Sequence, residues 1–190
     1  LAPIDNDDTD GNYLVNWNDV TGATSYRVEE ADNANFNSAT ELYTGPDTQF
    51  EVSAQDGGVW YYRVQASNSY GTGGWSNSQS ADVRPPVPTL VDIDNADGDG
   101  DYLVDWNAVV GADSYTLEEA DNPEFSPTTV RYEGADDQFE VLGQATGLWY
   151  YRVRSTNSVG DSDWSTPKSV GVPPDAPALA AIENADGDGD

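Results

Sequence analysis

Displaced by 89 residues, the sequence falls on itself without a gap. Leu1 meets Leu90 and then Leu179, Trp17 meets Trp106, Trp60 meets Trp149 and Trp75 meets Trp164. Tyr26 meets Tyr115, and Phe50 meets Phe139. Such a period makes each repeat one structural unit and restricts the chain to an array of like folds. Proline marks the seams, RPPVP at 84–88 and VPPDAP at 172–177. Its fixed φ and missing donor make these short, semi-rigid linkers. The expected organisation is a domain over 1–88, a second over 89–177, and the start of a third copy over 178–190. That partial copy predicts a longer array.

Within a repeat the apolar residues alternate with period two. In YLVNW, Tyr13, Val15 and Trp17 share a face, with Leu14 and Asn16 opposite. In SYRVEE, Tyr26 and Val28 oppose Arg27 and Glu29; in TQFEV, Phe50 and Val52 flank Glu51. In WYYRVQA, Trp60, Tyr62, Val64 and Ala66 form one face, with Tyr61, Arg63 and Gln65 on the other. Gly, Asn and Asp punctuate the runs, and no window shows helical spacing. The pattern predicts an all-β chain of tandem immunoglobulin-like sandwiches, about seven short strands each.

Composition removes several functions. Only 7 Lys and Arg stand against 35 Asp and Glu, for a net charge of -28. Such a chain repels nucleic acid and anionic membrane, although acidity also serves solubility and salt adaptation. With no Cys and no His, disulfides, zinc-type sites and Ser-His-Asp or Cys-His nucleophiles are unavailable within the chain. No apolar run approaches the ~20 residues a spanning helix needs. No N-x-[ST] sequon is present, so N-linked glycans of that kind are not expected.

The strand motifs resemble those of tandem fibronectin type III domains. The similarity rests on LVDI at 90–93 as an opening strand, on YLVDW ending in Trp106, and on YRVEE and YTLEE as third strands. It also rests on YRVQASNSYG and YRVRSTNSVG as sixth strands followed by glycine. It covers both repeats nearly end to end. By spacing to Asn68 and Asn157, the family's corner tyrosine is replaced by Trp60 and Trp149. An indole N–H can still donate to a backbone carbonyl there. The resemblance implies a binding or spacer module rather than a catalyst, of the bacterial or archaeal extracellular type. The Arg-Gly-Asp motif of the family is absent.

One stretch is chemically distinctive. NADGDGDY at 95–102 has near copies at 6–13 and 184–190, all reading N-x-D-x-D-G. Under the implied fold it joins the first two strands, at the end of the domain nearest its successor. The candidate cation ligands are Asn6, Asp8, Asp10 and Asn12; Asn95, Asp97, Asp99 and Asp101; and Asn184, Asp186 and Asp188. Alternating oxygen donors closed by glycine match the first half of a calcium loop. The second half is missing, because the twelfth position from Asn95 is Trp106. Further ligands must come from elsewhere, and Asp32 and Asp121 in the EEADN turns lie at the same end. The expected cofactor is calcium, stiffening the linker. Asp and Gly also suit a plain solvated turn.

Other surfaces are less specific. Tyr61, Arg63 and Arg27, or Tyr150 or Tyr151 with Arg152 and Arg154, suggest an aromatic and cationic ladder, and with it a carbohydrate surface. Trp75 and Trp164 suit stacking on strand arginines. Glu29 and Glu30 do not frame a hydrolytic cleft, since neighbouring strand residues face opposite ways. The expected function is a non-catalytic structural or adhesive module of an extracellular or cell-surface stalk, adhesin or filament. Its expected partners are neighbouring repeats, with homo-oligomer or fibre formation in view. The competing expectation is an accessory or carbohydrate-binding module of a secreted polysaccharide hydrolase.

Overall fold

The structure is a computed structural model that describes residues 1–178. The first repeat holds β1 (Tyr13–Asn16), β2 (Ser25–Ala31), β3 (Thr40–Gly45), β4 (Gln49–Val52), β5 (Gly58–Asn68), β6 (Gly71–Trp75) and β7 (Gln79–Val83). The second holds β8 (Tyr102–Asp105), β9 (Ser114–Ala120), β10 (Thr129–Gly134), β11 (Gln138–Val141), β12 (Gly147–Thr156) and β13 (Lys168–Val172). All pairings between strands are antiparallel. In each repeat a two-stranded sheet (β1-β4 or β11-β8) covers a larger one, ordered β3-β2-β5-β6 with β7 also on β5, or β10-β9-β12-β13. This is the sandwich that the period-two pattern calls for.

The faces follow the pleat. Tyr13, Val15, Trp17, Tyr26, Val28, Tyr62 and Val64 form one core, and Tyr102, Val104, Trp106, Tyr115, Leu117, Tyr151 and Val153 form the other. Each core contains a buried polar chain. The Tyr13 and Tyr62 hydroxyls meet at 2.7 Å, and the Tyr62 hydroxyl donates to Glu30 Oε2. Tyr102, Tyr151 and Glu119 repeat the arrangement. Burial pushes the Tyr13 hydroxyl up to about 12, and pushes Tyr62 and Tyr151 upward more strongly, with the glutamate bond as the next cause.

The corner survives its substitution. Trp60 Nε1 donates to Asp56 O and Trp149 Nε1 to Ala145 O, each at 2.8 Å and four residues upstream. Two strand expectations need correction. The opening strand shrinks to an isolated bridge, Leu90 with Trp106. In the first repeat only the Ala2 N–H to Asn16 O bond stands out; Pro3 has no N–H to extend it. In the second repeat the counterpart of β6 is also one bridge, Thr156 with Asp161. There side chains take the ladder positions: Ser162 Oγ accepts from the Ser155 N–H, and Asp161 accepts from the Thr156 hydroxyl.

Candidate functional site

Strand direction fixes where the acidic loops lie. β1 leads away from residues 5–12 and β2 returns, so the turn at 32–39 lies at the same end, as does the turn at 53–57 after β4. The loop is tied down by its own polar atoms. Asn6 Nδ2 donates to Asp82 O at 2.7 Å, Asp8 Oδ1 accepts from the Asp10 N–H at 3.4 Å, and Asp10 Oδ1 accepts from the Asn12 N–H at 2.8 Å. That last bond holds the Asp10 carboxyl below its ordinary range. Asn12 Oδ1 accepts from the Ala54 N–H at 3.0 Å.

The second loop copies this. Asn95 Nδ2 donates to Gly171 O, Asp99 Oδ1 accepts from the Asp101 N–H, and Asp101 Oδ1 accepts from the Gly143 N–H. Asp97 is exposed. Gly11 and Gly100 hold φ of 83° and 84°, and a Cβ on Gly100 would come within 2.7 Å of Gln144 O. Glycine is therefore required for the loop to close on the next turn.

As a cation site the loops fit in donor chemistry, because every candidate ligand is a hard oxygen. Asn6 Oδ1 and Asn95 Oδ1, the first position of each motif, are buried and accept no hydrogen bond. Among the described residues, no group of three acidic side chains converges on a metal position. Asp32 and Asp121 each accept from the amide of the neighbouring asparagine, within their own turns. Asn184, Asp186 and Asp188 lie outside the described residues.

The arginine face is a stack. The Arg63 guanidinium lies between Phe36 and Trp75, 4.3 and 4.1 Å from their ring centres, and pairs with Glu29 at 2.6 Å. Arg152 lies between Phe125 and Trp164, at 4.3 and 4.4 Å, and pairs with Glu118 at 2.6 Å. The tryptophans thus cover strand arginines, as their spacing suggests. The phenylalanines come from turns whose contact with the sheet the alternation does not signal.

The junction between repeats is the polar cluster that sequence reading missed. Arg84 closes it: its N–H and Nε bond to Thr9, its Nη2 to Asp8 O at 2.9 Å, and its Nη1 to Asp161 O at 3.3 Å. One side chain therefore holds the acidic loop of the first repeat and a loop of the second. Asn157 Nδ2 donates to Val83 O at 3.0 Å, and the fully buried Ser155 donates its hydroxyl to Pro86 O at 2.6 Å. Gly57 completes the fit. A Cβ there would stand 2.9 Å from the Pro85 Cα and 3.1 Å from Gly111 O.

No family model matches the sequence, and no curated protein does. Solved structures match the fold. A two-domain fibronectin type III segment from chicken tenascin superposes with a TM-score of 0.65 at 12% identity, covering 88% of this chain and 95% of that one. The FN1–FN3 domains of chicken CNTN1 match at TM-score 0.41 and 15% identity, over 87% of this chain and 62% of theirs. The sixth fibronectin type III domain of human fibronectin type III domain containing protein 3 matches at 0.43 and 18%, over 57% and 98%. The tenascin superposition gives the fold as that of paired fibronectin type III sandwiches.

Proposed function

We propose that the chain is a non-catalytic structural segment of an extracellular array, in which a polar junction holds successive sandwiches at a fixed angle. The observation that carries this reading is Arg84, whose guanidinium bonds to loops of both repeats. The proline linker supports it, since Pro85 and Pro88 are buried. The fold likeness to tenascin's paired domains also supports it. The described residues contain no helix long and apolar enough to cross a membrane. Small-angle scattering of the native chain and of Arg84→Ala/Asn157→Ala tests the junction. A broadened distance distribution in the variant alone supports it; identical profiles overturn it.

Calcium belongs to the same proposal. Asn6, Asp8 and Asp10, with Asn95, Asp97 and Asp99 in the second repeat, would supply the oxygens. The buried amide oxygens of Asn6 and Asn95, which receive no hydrogen bond, support this. Since Arg84 also bonds to Asp8 and Thr9, an ordered loop would stiffen the junction. At 100 times Kd, a bound cation stabilises the fold by about 2.7 kcal/mol. A melting temperature raised by calcium, less by equal magnesium and not in chelator, is the expected result. Equal melting in all three overturns the calcium reading.

A further inference from the structure

Two residues of the first repeat hold strained backbone where their counterparts in the second are glycine. Thr9 and Ala54 have φ of 57° and 53°, and the matching Gly98 and Gly143 have φ of 71° and 62°. The turns themselves are alike. The Thr9 N–H bonds to Asn6 O as the Gly98 N–H does to Asn95 O. The Ala54 N–H bonds to Asn12 Oδ1 as the Gly143 N–H does to Asp101 Oδ1. Glycine reaches this conformation without steric cost. A residue with a Cβ does not, and a β-branched threonine there is an outlier. Such strain persists where the surroundings over-determine it, and it gathers at positions with a task.

The task lies at the joint between the repeats. The Thr9 hydroxyl accepts from Arg84 Nε, and Thr9 O accepts from the Arg84 N–H at 3.1 Å. The guanidinium so aimed reaches Asp161 O of the second repeat. Arg84 is exposed, so without that hydroxyl its side chain regains the rotamers that the contact removes. Thr9 and Ala54 line one hollow of about 300 Å³ together with Arg84, Pro86, Val87 and Ser162. The matching end of the second repeat carries other residues: Gly98 for Thr9, Gly143 for Ala54, Thr146 for Gly57 and Pro173 for Arg84. A Cβ on Gly98 would stand 2.6 Å from Pro173 Cγ, so a threonine and an arginine there are exchanged together for a glycine and a proline.

We propose that Thr9 and Ala54 are positioning residues of the joint. Left-handed backbone holds their side chains against Arg84 and the linker, and this locks the first repeat onto the second. The lock belongs to this joint rather than to the repeat as such. The proposal rests on the reading of the chain as an array segment, and it assigns the rigidity of the joint to two strained positions.

Amide residual dipolar couplings and urea unfolding of the native chain, of Thr9→Gly/Ala54→Gly and of Thr9→Ser test it. Glycine already serves both turns in the second repeat, so the double variant keeps the fold. The expected result is one alignment tensor for the native chain and for Thr9→Ser, which keeps the hydroxyl, and two tensors for the double variant. The first repeat of the double variant is expected to unfold at the native urea midpoint or above, because the strain is relieved. A single tensor for the double variant overturns the proposal. A lowered midpoint of its first repeat also overturns it, because both residues then serve the fold of that repeat. A native chain that needs two tensors overturns the array reading as well, whereas one tensor for native chain and double variant alike overturns this proposal alone.

Discussion

Removal of the stacked arginine affects the two repeats unequally. Glu29 is paired with Arg63 and also with Arg27, whereas the partner of Glu118 is Arg152. The side chains of Arg152 and Glu118 are 24% and 12% exposed. Breaking a buried pair by truncating one member costs about 3–5 kcal/mol, and partial exposure brings this to the lower end. Loss of two cation–π contacts adds about 1 kcal/mol. Arg152→Ala is therefore expected to destabilise the second repeat by about 3–4 kcal/mol. Arg63→Ala loses the same two stacking contacts, but Arg27 remains on Glu29, so about 2 kcal/mol is expected. For units of this size, each kcal/mol lowers Tm by about 4–8 °C. Urea unfolding of the whole chain, followed by tryptophan fluorescence and fitted as two transitions, separates the repeats. An Arg63→Ala cost equal to or above that of Arg152→Ala refutes the reasoning that a second cation protects Glu29.

Three further outcomes follow from the same geometry. Tyr62→Phe leaves the buried Glu30 carboxylate without its donor and is expected to cost about 1–3 kcal/mol in chemical denaturation. The tyrosine chains also set an alkaline limit. Folded Tyr13 stays protonated up to about 12 while its unfolded counterpart ionises near 10.0, so the folded state binds more protons and stability falls through that interval. Tyrosinate absorbance is expected to rise together with the loss of β circular dichroism. Gly100→Ala places a Cβ against Gln144 O at positive φ and is expected to lower Tm by several degrees in chelator as well as in calcium.

The legible part of this fold is what short-range alternation encodes. Val15, Val28 and Val64 are buried because each lies two residues from another core side chain on its strand, and that spacing is visible in the sequence. The tryptophan corner was legible for the same reason, since its acceptor is four residues away. Trp75 reaching Arg63 was legible from its place after the glycine that ends the sixth-strand motif. The junction was not. Arg84 meets Asp8 and Asp161 across 76 and 77 residues of sequence, and those contacts depend on how two finished sandwiches meet. Gly57 looks like any turn glycine until Gly111 is placed beside it. The acidic loop was legible as a motif, yet Asp8, Asp10 and Asp99 accept N–H groups of their own turn and Asp32 accepts from Asn33, because local donors are nearest, while Asp101 accepts from Gly143 of another turn.

The proposed array requires the two repeats to form one stiff body through Arg84, Ser155 and Asn157. Amide residual dipolar couplings of the whole chain in a weakly aligning medium test it directly. With a stiff junction, couplings from β1–β7 and β8–β13 fit a single alignment tensor. Two tensors of different magnitude, as for sandwiches moving on a loose tether, would contradict it.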